Sequence, residues 1–329
     1  MSNLRKIIYL CLLFSYIDDN MVSMSISFIQ QYLPDRLKPF AVRWYLRHKK
    51  IFDKRCISEI CSFYSKNTTV NPDILSILEY LPHCGLVQYP YPWADKSHFD
   101  SVQVFHDSKL GLPYVLLDGK KLYYPSNMKD NDIKLYHYGV QNVEQHLLSP
   151  HRYLTMDFDV CSSDIVLDCG AAEGNFGLSV VDHVKKLYLF EPDPKWIDPL
   201  FATFSPWRDK VEIVPMYLSC SLENNGFVTS IDSYFQGKEL PTFIKLDVEG
   251  YEEKVLSGAT RLLNDGAIKK ICVCVYHYMS DEQKLGDYLR SYNFTCIPSD
   301  GYMIVREFEK LSPPYFRRGL LRCSLNEGF

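Results

Sequence analysis

An excess of positive charge is the first feature that the sequence lacks. Its 329 residues include 36 lysines and arginines against 40 aspartates and glutamates, which gives a net charge of −4. The pI is near 6.1. Domains that bind nucleic acid through its phosphates normally carry a basic surface field. The composition therefore predicts no nucleic-acid partner.

Hydrophobic runs of membrane-spanning length are also missing from the N-terminal region. Residues 7–17 form an apolar stretch, which is shorter than the roughly 20 residues of a transmembrane helix. Arg5 and Lys6 precede it, as in a signal peptide, but no small-residue cleavage site follows. We therefore expect a buried or interfacial helix here and a cytoplasmic protein, with Met21 left open as an alternative start.

The cysteines lack the spacing of a metal site. Cys272 and Cys274 are separated by one residue in an apolar run, whereas paired zinc ligands usually have two or more residues between them. Several carboxylates near one site would suit Mg²⁺, but the sequence shows too few oxygen ligands at fixed spacing. We predict no metal site, and we expect Cys272 and Cys274 to be small buried side chains in a reducing compartment.

The sequence has no internal repeat and no low-complexity tract, so hydrophobic periodicity indicates its organisation. Residues 1–90 have a helical pattern. Within them, residues 36–50 mix apolar and basic side chains, which is typical of a solvated helix face and also suits peripheral contact with an anionic membrane. Residues 91–148 show short strand patterns and an Asp-Gly turn, which predict a small β-rich lead-in. Residues 149–329 are the predicted catalytic domain.

From Asp164 onward the pattern alternates between buried strands and helices. Such alternation predicts a Rossmann-like α/β domain, with a parallel sheet covered by helices on both faces. Ligands of such sheets bind at the carboxyl ends of the strands. The predicted strands are residues 165–167, 186–190, 211–214, 243–246 and 271–276, and residues 252–263 are predicted to form one helix.

The first of these strands ends in a glycine-containing segment, Asp-Cys-Gly-Ala-Ala-Glu-Gly-Asn-Phe-Gly, at residues 168–177. Gly170 allows a sharp turn, and Gly174 allows close approach of a ligand or of the following helix. Amide groups at the start of that helix suit an anion such as the carboxylate of a bound amino acid. At the end of the second strand, Glu191 can accept hydrogen bonds from both hydroxyls of a ribose.

Two details of this segment favour a methyl donor over a dinucleotide. Three residues separate Gly170 from Gly174, which does not fit the G-x-G-x-x-G pattern of dinucleotide sites. Asp168 would repel a pyrophosphate but can face the ammonium group of a methionine. The segment therefore points to S-adenosylmethionine.

A second motif, Phe-Ile-Lys-Leu-Asp-Val-Glu-Gly-Tyr-Glu-Glu-Lys-Val-Leu-Ser-Gly-Ala, occupies residues 243–259. Together with the first, it resembles the FkbM family of S-adenosylmethionine-dependent methyltransferases over roughly residues 145–305. The matching positions are Asp168, Gly170, Gly174, Glu191, Pro192, Asp247, Glu249, Gly250, Val255, Leu256, Gly258 and Ala259. Residues 149–153 are similar to a lead-in found in some members. One departure is His277, which follows a strand that many members end with a glutamate.

The resemblance implies a class I methyltransferase fold and S-adenosylmethionine as the cofactor. The residues predicted to bind it are Asp168, Gly170, Ala171, Glu173, Gly174, Asn175, Phe176, Glu191, Pro192 and Asp247. It also implies O-methylation of a hydroxyl group on a carbohydrate or glycolipid. A nicotinamide-dependent oxidoreductase and a non-catalytic binding module that retains the fold are the alternatives.

The predicted catalytic residues are His277, Asp247 and Glu249. A hydroxyl group is a poor nucleophile while it is protonated, so a positioned base assists its methylation. His277 is the preferred base because the ordinary pKa of histidine lies near neutral pH. Asp247 and Glu249 are candidates for binding a hydroxyl group, a metal or the donor's ammonium group.

Overall fold

The computed structural model describes residues 38–66, 71–222 and 226–326. The apolar stretch at residues 7–17 and the first two residues of the basic segment at 36–50 lie outside these ranges. Within them, no helix combines the length and the apolar character needed to cross a bilayer.

The described residues form two compact units. The first contains the chain up to Tyr91 together with Ile304–Phe316, and the second contains Pro92–Met303 and the chain from Arg317 onward. The β-rich lead-in lies in the same unit as the catalytic sheet. The division also places a short segment near the C-terminus in the N-terminal unit.

The first unit is built on two helices, α1 (Lys38–Ser65) and α2 (Pro72–Cys84), as the helical pattern predicted. Asn71 caps α2 by accepting a hydrogen bond from the Asp73 amide at 2.8 Å. The ring of Tyr64 stacks on Phe316 with centroids 5.3 Å apart. This contact joins α1 to a segment about 250 residues further along the chain, which no local pattern predicts.

The lead-in of the second unit is a three-stranded antiparallel sheet of β1 (Phe105–Asp107), β2 (Leu112–Leu117) and β3 (Lys120–Tyr123). Asp118 and Gly119 form the tight turn between β2 and β3, with φ angles of 50° and 79°, which confirms the predicted hairpin. Helix α3 (Asp130–Tyr138) follows.

Hydrogen bonds explain why the lead-in is not a separate unit. The Tyr123 amide donates to Thr203 Oγ1 at 3.0 Å. Lys120 Nζ donates to the Leu178 carbonyl at 2.9 Å and lies 2.8 Å from an Asp182 carboxylate oxygen. The small sheet is therefore attached to helices of the catalytic domain.

A seven-stranded sheet forms the centre of the second unit. The strands of this part of the chain are β4 (Ile165–Cys169), β5 (Lys186–Phe190), β6 (Val211–Val214), β7 (Tyr217–Leu218), β8 (Val228–Thr229), β9 (Phe243–Leu246), β10 (Lys270–Cys274), β11 (Phe294–Pro298) and β12 (Leu320–Leu325). The order in the large sheet is β11-β12-β10-β9-β4-β5-β6. All neighbours are parallel except β12, which runs antiparallel to β10 and β11.

This sheet confirms the predicted Rossmann-like class and defines where a ligand binds. Strand β4 has β5 on one side and β9 on the other, so the strand order reverses direction between β4 and β9. Open α/β sheets bind ligands at the carboxyl ends of the strands that flank such a switch point. The two sequence motifs follow β4 and β9, and the fold therefore brings them to one edge.

The helices of the sheet are α4 (Asn175–Val180), α5 (Pro194–Phe204), α6 (Ile231–Tyr234), α7 (Glu252–Ser257), α8 (Thr260–Asn264) and α9 (Asp281–Arg290). The single helix predicted at residues 252–263 is two helices, broken at Gly258. A Cβ on Gly258 would lie 2.2 Å from the Ser219 carbonyl oxygen. The break thus accompanies a close backbone contact that helical periodicity does not reveal.

The cysteines of the sheet fall into two groups. Cys272 and Cys274 in β10 are buried and free, as predicted for small core side chains. Cys296 and Cys323 face each other across β11 and β12 and form a disulfide. The pairing brings two cysteines together through the register of distant strands, which the sequence does not reveal. A disulfide was not expected in the predicted reducing compartment.

Candidate active site

The loop after β4 is shaped by its glycines and by backbone contacts. Gly170 has a φ of 78°, and a Cβ there would lie 1.9 Å from the Asp247 carbonyl oxygen. The amides of Gly170 and Ala171 both donate to the Phe190 carbonyl, at 3.0 and 3.1 Å. The loop is therefore packed between the ends of β5 and β9, and only glycine fits at its first turn.

Gly174 is required for a different contact from the one expected. Its φ is 87°, and a Cβ would lie 2.8 Å from side-chain carbons of Leu200 and Phe204. Both side chains belong to α5. The close approach permitted by Gly174 therefore comes from α5, and not from the helix that directly follows the loop.

Glu191, at the end of β5, joins two loops through its carboxylate. Its Oε2 accepts from the Ala172 amide at 2.8 Å, and its Oε1 accepts from the Asp193 amide at 2.8 Å. Burial raises the pKa of Glu191, and these two hydrogen bonds oppose that rise. A carboxylate offers about four acceptor positions. Each oxygen therefore retains one for a ribose hydroxyl, which fits the predicted cofactor.

Asp168, which is predicted to face an ammonium group of the ligand, lies beside a lysine. Its side chain is fully buried, and Oδ1 lies 3.0 Å from Lys245 Nζ. The same Nζ donates to the Gly170 carbonyl at 2.6 Å. In this structure Lys245 supplies the cation beside Asp168, and the pair fixes the first turn of the glycine loop.

The remaining predicted cofactor-binding residues have different surroundings. Tyr136 donates to Glu173 Oε2 at 2.8 Å, and burial raises the pKa of Glu173 to about 7 despite this hydrogen bond. Asn175 and Phe176 begin α4 and line a cavity of about 700 Å³. Glu191 does not line that cavity, so it is separate from the predicted ribose position. Pro192 directly follows Glu191 and is partly exposed.

Asp247 follows β9 and is the centre of a polar network. Its Oδ2 accepts from Tyr153 Oη at 2.9 Å and lies 3.4 Å from His151 Nε2. Its Oδ1 accepts from Tyr276 Oη at 3.2 Å. Burial alone would raise the pKa of Asp247, but the hydrogen bond with His151 and the charges of Lys245 and His277 hold it well below its usual range. Asp247 is thus a firmly ionised carboxylate and a weak base.

His277, the predicted base, lies among acidic side chains. It is fully buried, and its Nδ1 lies 3.2 Å from Glu252 Oε1. Burial lowers its pKa, but the nearby carboxylates of Glu249 and Glu252 and the charge of Asp247 outweigh that effect and raise the pKa to about 10. This shift favours the protonated form of His277 at neutral pH.

Glu249 and Glu252 have opposite environments. The Glu249 side chain is 78% exposed, on a residue whose φ of 55° lies in the left-handed region. Glu252 is buried and accepts hydrogen bonds from the amides of Val248 at 2.9 Å and Gly250 at 3.4 Å. Glu252 therefore holds the loop that presents Glu249 to solvent.

Sequence reasoning missed several members of this network. They are His151, Tyr153, Lys245, Glu252 and Tyr276. For His151 and Tyr153 there was a signal, because the segment at residues 149–153 is similar to a lead-in of some FkbM members. Lys245 lies two residues before Asp247 in the second motif, but a lysine inside a buried strand gives no indication of its partner.

The strand order, the glycine loop and the acids that end β5 and β9 agree with the Rossmann-like fold predicted for a class I methyltransferase. The FkbM resemblance is confirmed directly: residues 228–296 match the family model described as the methyltransferase FkbM domain. The matched segment is about a fifth of the chain and includes the motif around Asp247. No curated protein matches the chain.

Solved structures that resemble the chain include proteins described as methyltransferases. Methyltransferase FkbM from Methylobacillus flagellatus shares 20% identity and has a TM-score of 0.41, with 60% of this chain and 55% of that one covered. The M. jannaschii protein TYW2, solved in complex with AdoMet, shares 13% identity at a TM-score of 0.37, with 68% and 91% covered. The chain thus spans about half the length of the M. flagellatus protein.

Proposed function

We propose that the protein transfers the methyl group of S-adenosylmethionine to a hydroxyl group of a carbohydrate or glycolipid. The observation that carries this proposal is that one switch point of the sheet brings together two groups of side chains with different chemistry. One ends in Glu191, whose oxygens retain acceptor positions for a ribose. The other is the polar network around Asp247, whose groups are suited to an alcohol.

The donor side contributes binding and alignment. The cofactor supplies an already activated methyl group, so the protein's main task is to hold the nucleophile in line with it. Glu191 binds the ribose hydroxyls, and the loop after β4 gives the crevice its shape. The ion pair of Asp168 and Lys245 keeps that loop in place from beneath.

The acceptor side offers an accessible carboxylate and two exposed aromatic rings. Glu249 is exposed, and the side chains of Tyr251 and Tyr278 near it are also exposed. A tyrosine ring with a polar tip suits the mixed apolar and hydroxylated faces of a sugar. Since Asp247 is a weak base and His277 is already protonated, Glu249 is the group we assign to accept a hydrogen bond from the acceptor hydroxyl.

The experiment is a transfer assay with labelled S-adenosylmethionine and extracted glycans and glycolipids. The expected result is a single 14 Da increase on one carbohydrate species, with formation of adenosylhomocysteine. Mass spectrometry of surface glycans from cells with and without the gene would identify the acceptor. Adenosylhomocysteine binding without turnover on any acceptor supports the binding module instead, and NAD binding supports the oxidoreductase.

We also propose that the protein acts in the cytoplasm. Cys161 and Cys220 are exposed free thiols, which supports a reducing compartment. The disulfide of Cys296 and Cys323 is an argument against it, because such bonds are rare there. Alkylation in fresh lysate, without reductant, should label both Cys296 and Cys323. Protection of the pair until a reductant is added would refute the cytoplasmic location.

We propose that the basic segment at residues 36–50 makes peripheral contact with an anionic membrane. In its described part, Arg43, Arg47 and Lys50 are exposed on α1. Binding to vesicles that contain phosphatidylserine should be weak and should be released by high salt, because exposed charges are screened. Binding that persists in high salt would exclude this electrostatic mode.

A further inference from the structure

We propose that Arg317 is a positioning residue on the acceptor side of the active site, where it holds the backbone that presents Tyr276 and His277 to Asp247. The proposal rests on the function proposed above for the role of these side chains, but the arrangement itself does not depend on which acceptor is methylated.

The contact that carries the proposal is made by one nitrogen atom. Arg317 Nη1 donates to the carbonyl of Tyr276 at 2.8 Å and to the carbonyl of His277 at 2.7 Å. The Arg317 side chain is buried, and hydrogen bonds from a charged donor are stronger than those between neutral groups. Two successive carbonyl groups are therefore fixed just after β10, at the edge of the sheet where ligands bind.

The side chains of these two residues belong to the network around Asp247. Tyr276 Oη donates to Asp247 Oδ1 at 3.2 Å. His277 lies with its Nδ1 3.2 Å from Glu252 Oε1, and its ring centroid is 4.1 Å from that of Tyr276. Because the direction of the backbone at a residue limits where its side chain can point, the two hydrogen bonds from Arg317 orient both rings toward these carboxylates.

The backbone of Arg317 is itself fixed by a pair of hydrogen bonds. Its amide donates to the Met303 carbonyl at 3.0 Å, and its carbonyl accepts from the Met303 amide at 2.7 Å. The guanidinium group therefore extends from an anchored residue, and it can transmit that position to the two carbonyls after β10.

Residues close to Arg317 in the chain support a second side of the network. The Gly319 carbonyl accepts from the Val275 amide at 3.0 Å, and a Cβ on Gly319 would lie 2.0 Å from the Pro150 carbonyl oxygen. Pro150 directly precedes His151, whose Nε2 lies 3.4 Å from Asp247 Oδ2. Residues 317–319 thus pack against both the end of β10 and the segment that carries His151.

The charges around His277 make its orientation measurable. Four carboxylates interact electrostatically with it, from the loop after β9 and from helices α7 and α9: Asp247, Glu249, Glu252 and Asp281. Loss of the positive charge of Arg317 alone would raise the pKa of His277, because a like charge disfavours a cation. Loss of its hydrogen bonds would let the imidazole move away from the carboxylates, which lowers that pKa. The direction of the change therefore separates the orienting role of Arg317 from its charge.

The test is an NMR pH titration of the full chain labelled with ¹⁵N-histidine, followed at the assigned ring signal of His277. In the wild type, its pKa should lie well above the ordinary histidine value of about 6.5. Arg317→Met should lower this pKa by about 1–3, the range over which a nearby opposite charge acts. Adenosylhomocysteine should bind this variant as it binds the wild type.

The matched control is Arg318→Met, at the next position in the chain. Arg318 Nη1 also donates to two carbonyls, those of Ser299 at 3.2 Å and Gly301 at 3.1 Å. Neither carbonyl belongs to the network around Asp247, so the pKa of His277 should be the same in this variant as in the wild type.

Three results would overturn the proposal. These are an ordinary pKa for His277 in the wild type, an unchanged or raised pKa in folded Arg317→Met, and an equal fall in Arg318→Met. If Arg317→Met does not fold, Arg317→Lys decides, because its amine keeps the charge but ends one bond short of Nη1. The pKa of His277 should then fall by a smaller amount, and an unchanged value would also overturn the proposal. The titration needs no acceptor, so failure to find a methylated carbohydrate would count against the proposed function alone.

Discussion

The two halves of the active site are built by different means. On the donor side, the loop after β4 is positioned by glycines and backbone hydrogen bonds, such as those from Gly170 and Ala171 to Phe190. On the acceptor side, Asp247 is surrounded by side chains from other segments, and its partner Tyr153 lies 94 residues away in the sequence. A short motif therefore specifies the first half, while the whole fold is needed to assemble the second.

The largest effect is expected for the buried ion pair of Asp168 and Lys245 beneath the donor loop. Lys245→Met leaves the carboxylate of Asp168 buried without its cation, and removing one partner of such a pair costs about 3–5 kcal/mol of stability. Urea unfolding measures the loss, and adding Asp168→Asn should recover part of it.

The control for that variant is Lys185→Met, which removes an exposed pair with Glu239. Exposed pairs contribute at most about 1 kcal/mol. Similar losses in the two variants would mean that the buried pair does not hold the loop.

The second prediction concerns pH and Glu173. Because burial raises its pKa to about 7, above the unfolded value of about 4.3, the folded protein binds this proton more tightly. The resulting stabilisation is complete at pH values below about 4 and is lost as the pH rises through about 7. Relative to Glu173→Gln, the wild type should lose on the order of 3 kcal/mol between these limits.

Chemical unfolding at a series of pH values measures this difference. Glu282→Gln, which alters an exposed acid, should give a profile parallel to the wild type. A parallel profile for Glu173→Gln as well would show that Glu173 is hydrated in solution.

A smaller effect separates backbone conformation from packing in the donor loop. Gly174 and Gly237 both have positive φ angles, 87° and 72°, but only Gly174 is in close contact, with Leu200 and Phe204. Gly174→Ala should therefore be less stable than Gly237→Ala by about 1–3 kcal/mol, the usual range for overpacking. Equal thermal stabilities would mean that α5 moves aside at little cost.

The same contrast explains what the sequence could and could not predict. The five parallel strands β4, β5, β6, β9 and β10, the Asp118–Gly119 hairpin and the two loops of the switch point follow from local patterns, and the structure has them within about two residues of the expected bounds. Strands β11 and β12 were not predicted. The antiparallel placement of β12, the Asp168–Lys245 pair and the contact of His151 with Asp247 depend on register between distant segments. Side-chain convergence of that kind has no periodicity and no short motif.

The charge environment of His277 has the same origin. Its position after an apolar strand was predicted, but its pKa depends on Glu249, Glu252 and Asp247, which belong to another loop. The ordinary pKa of histidine was therefore the wrong starting value. A strand-end histidine reveals its role only when the charges facing it are known.

The most direct test of the account is calorimetric titration of adenosylhomocysteine into the wild type, Glu191→Ala and Glu249→Gln. The account predicts binding to the wild type and no binding of NAD. Glu191→Ala should bind at least tenfold more weakly, since each hydrogen bond to a charged group contributes about 1.5–3 kcal/mol, while Glu249→Gln should retain the wild-type affinity. Unchanged affinity in a folded Glu191→Ala variant, or an equal loss in Glu249→Gln, would contradict the division of the site into donor and acceptor halves.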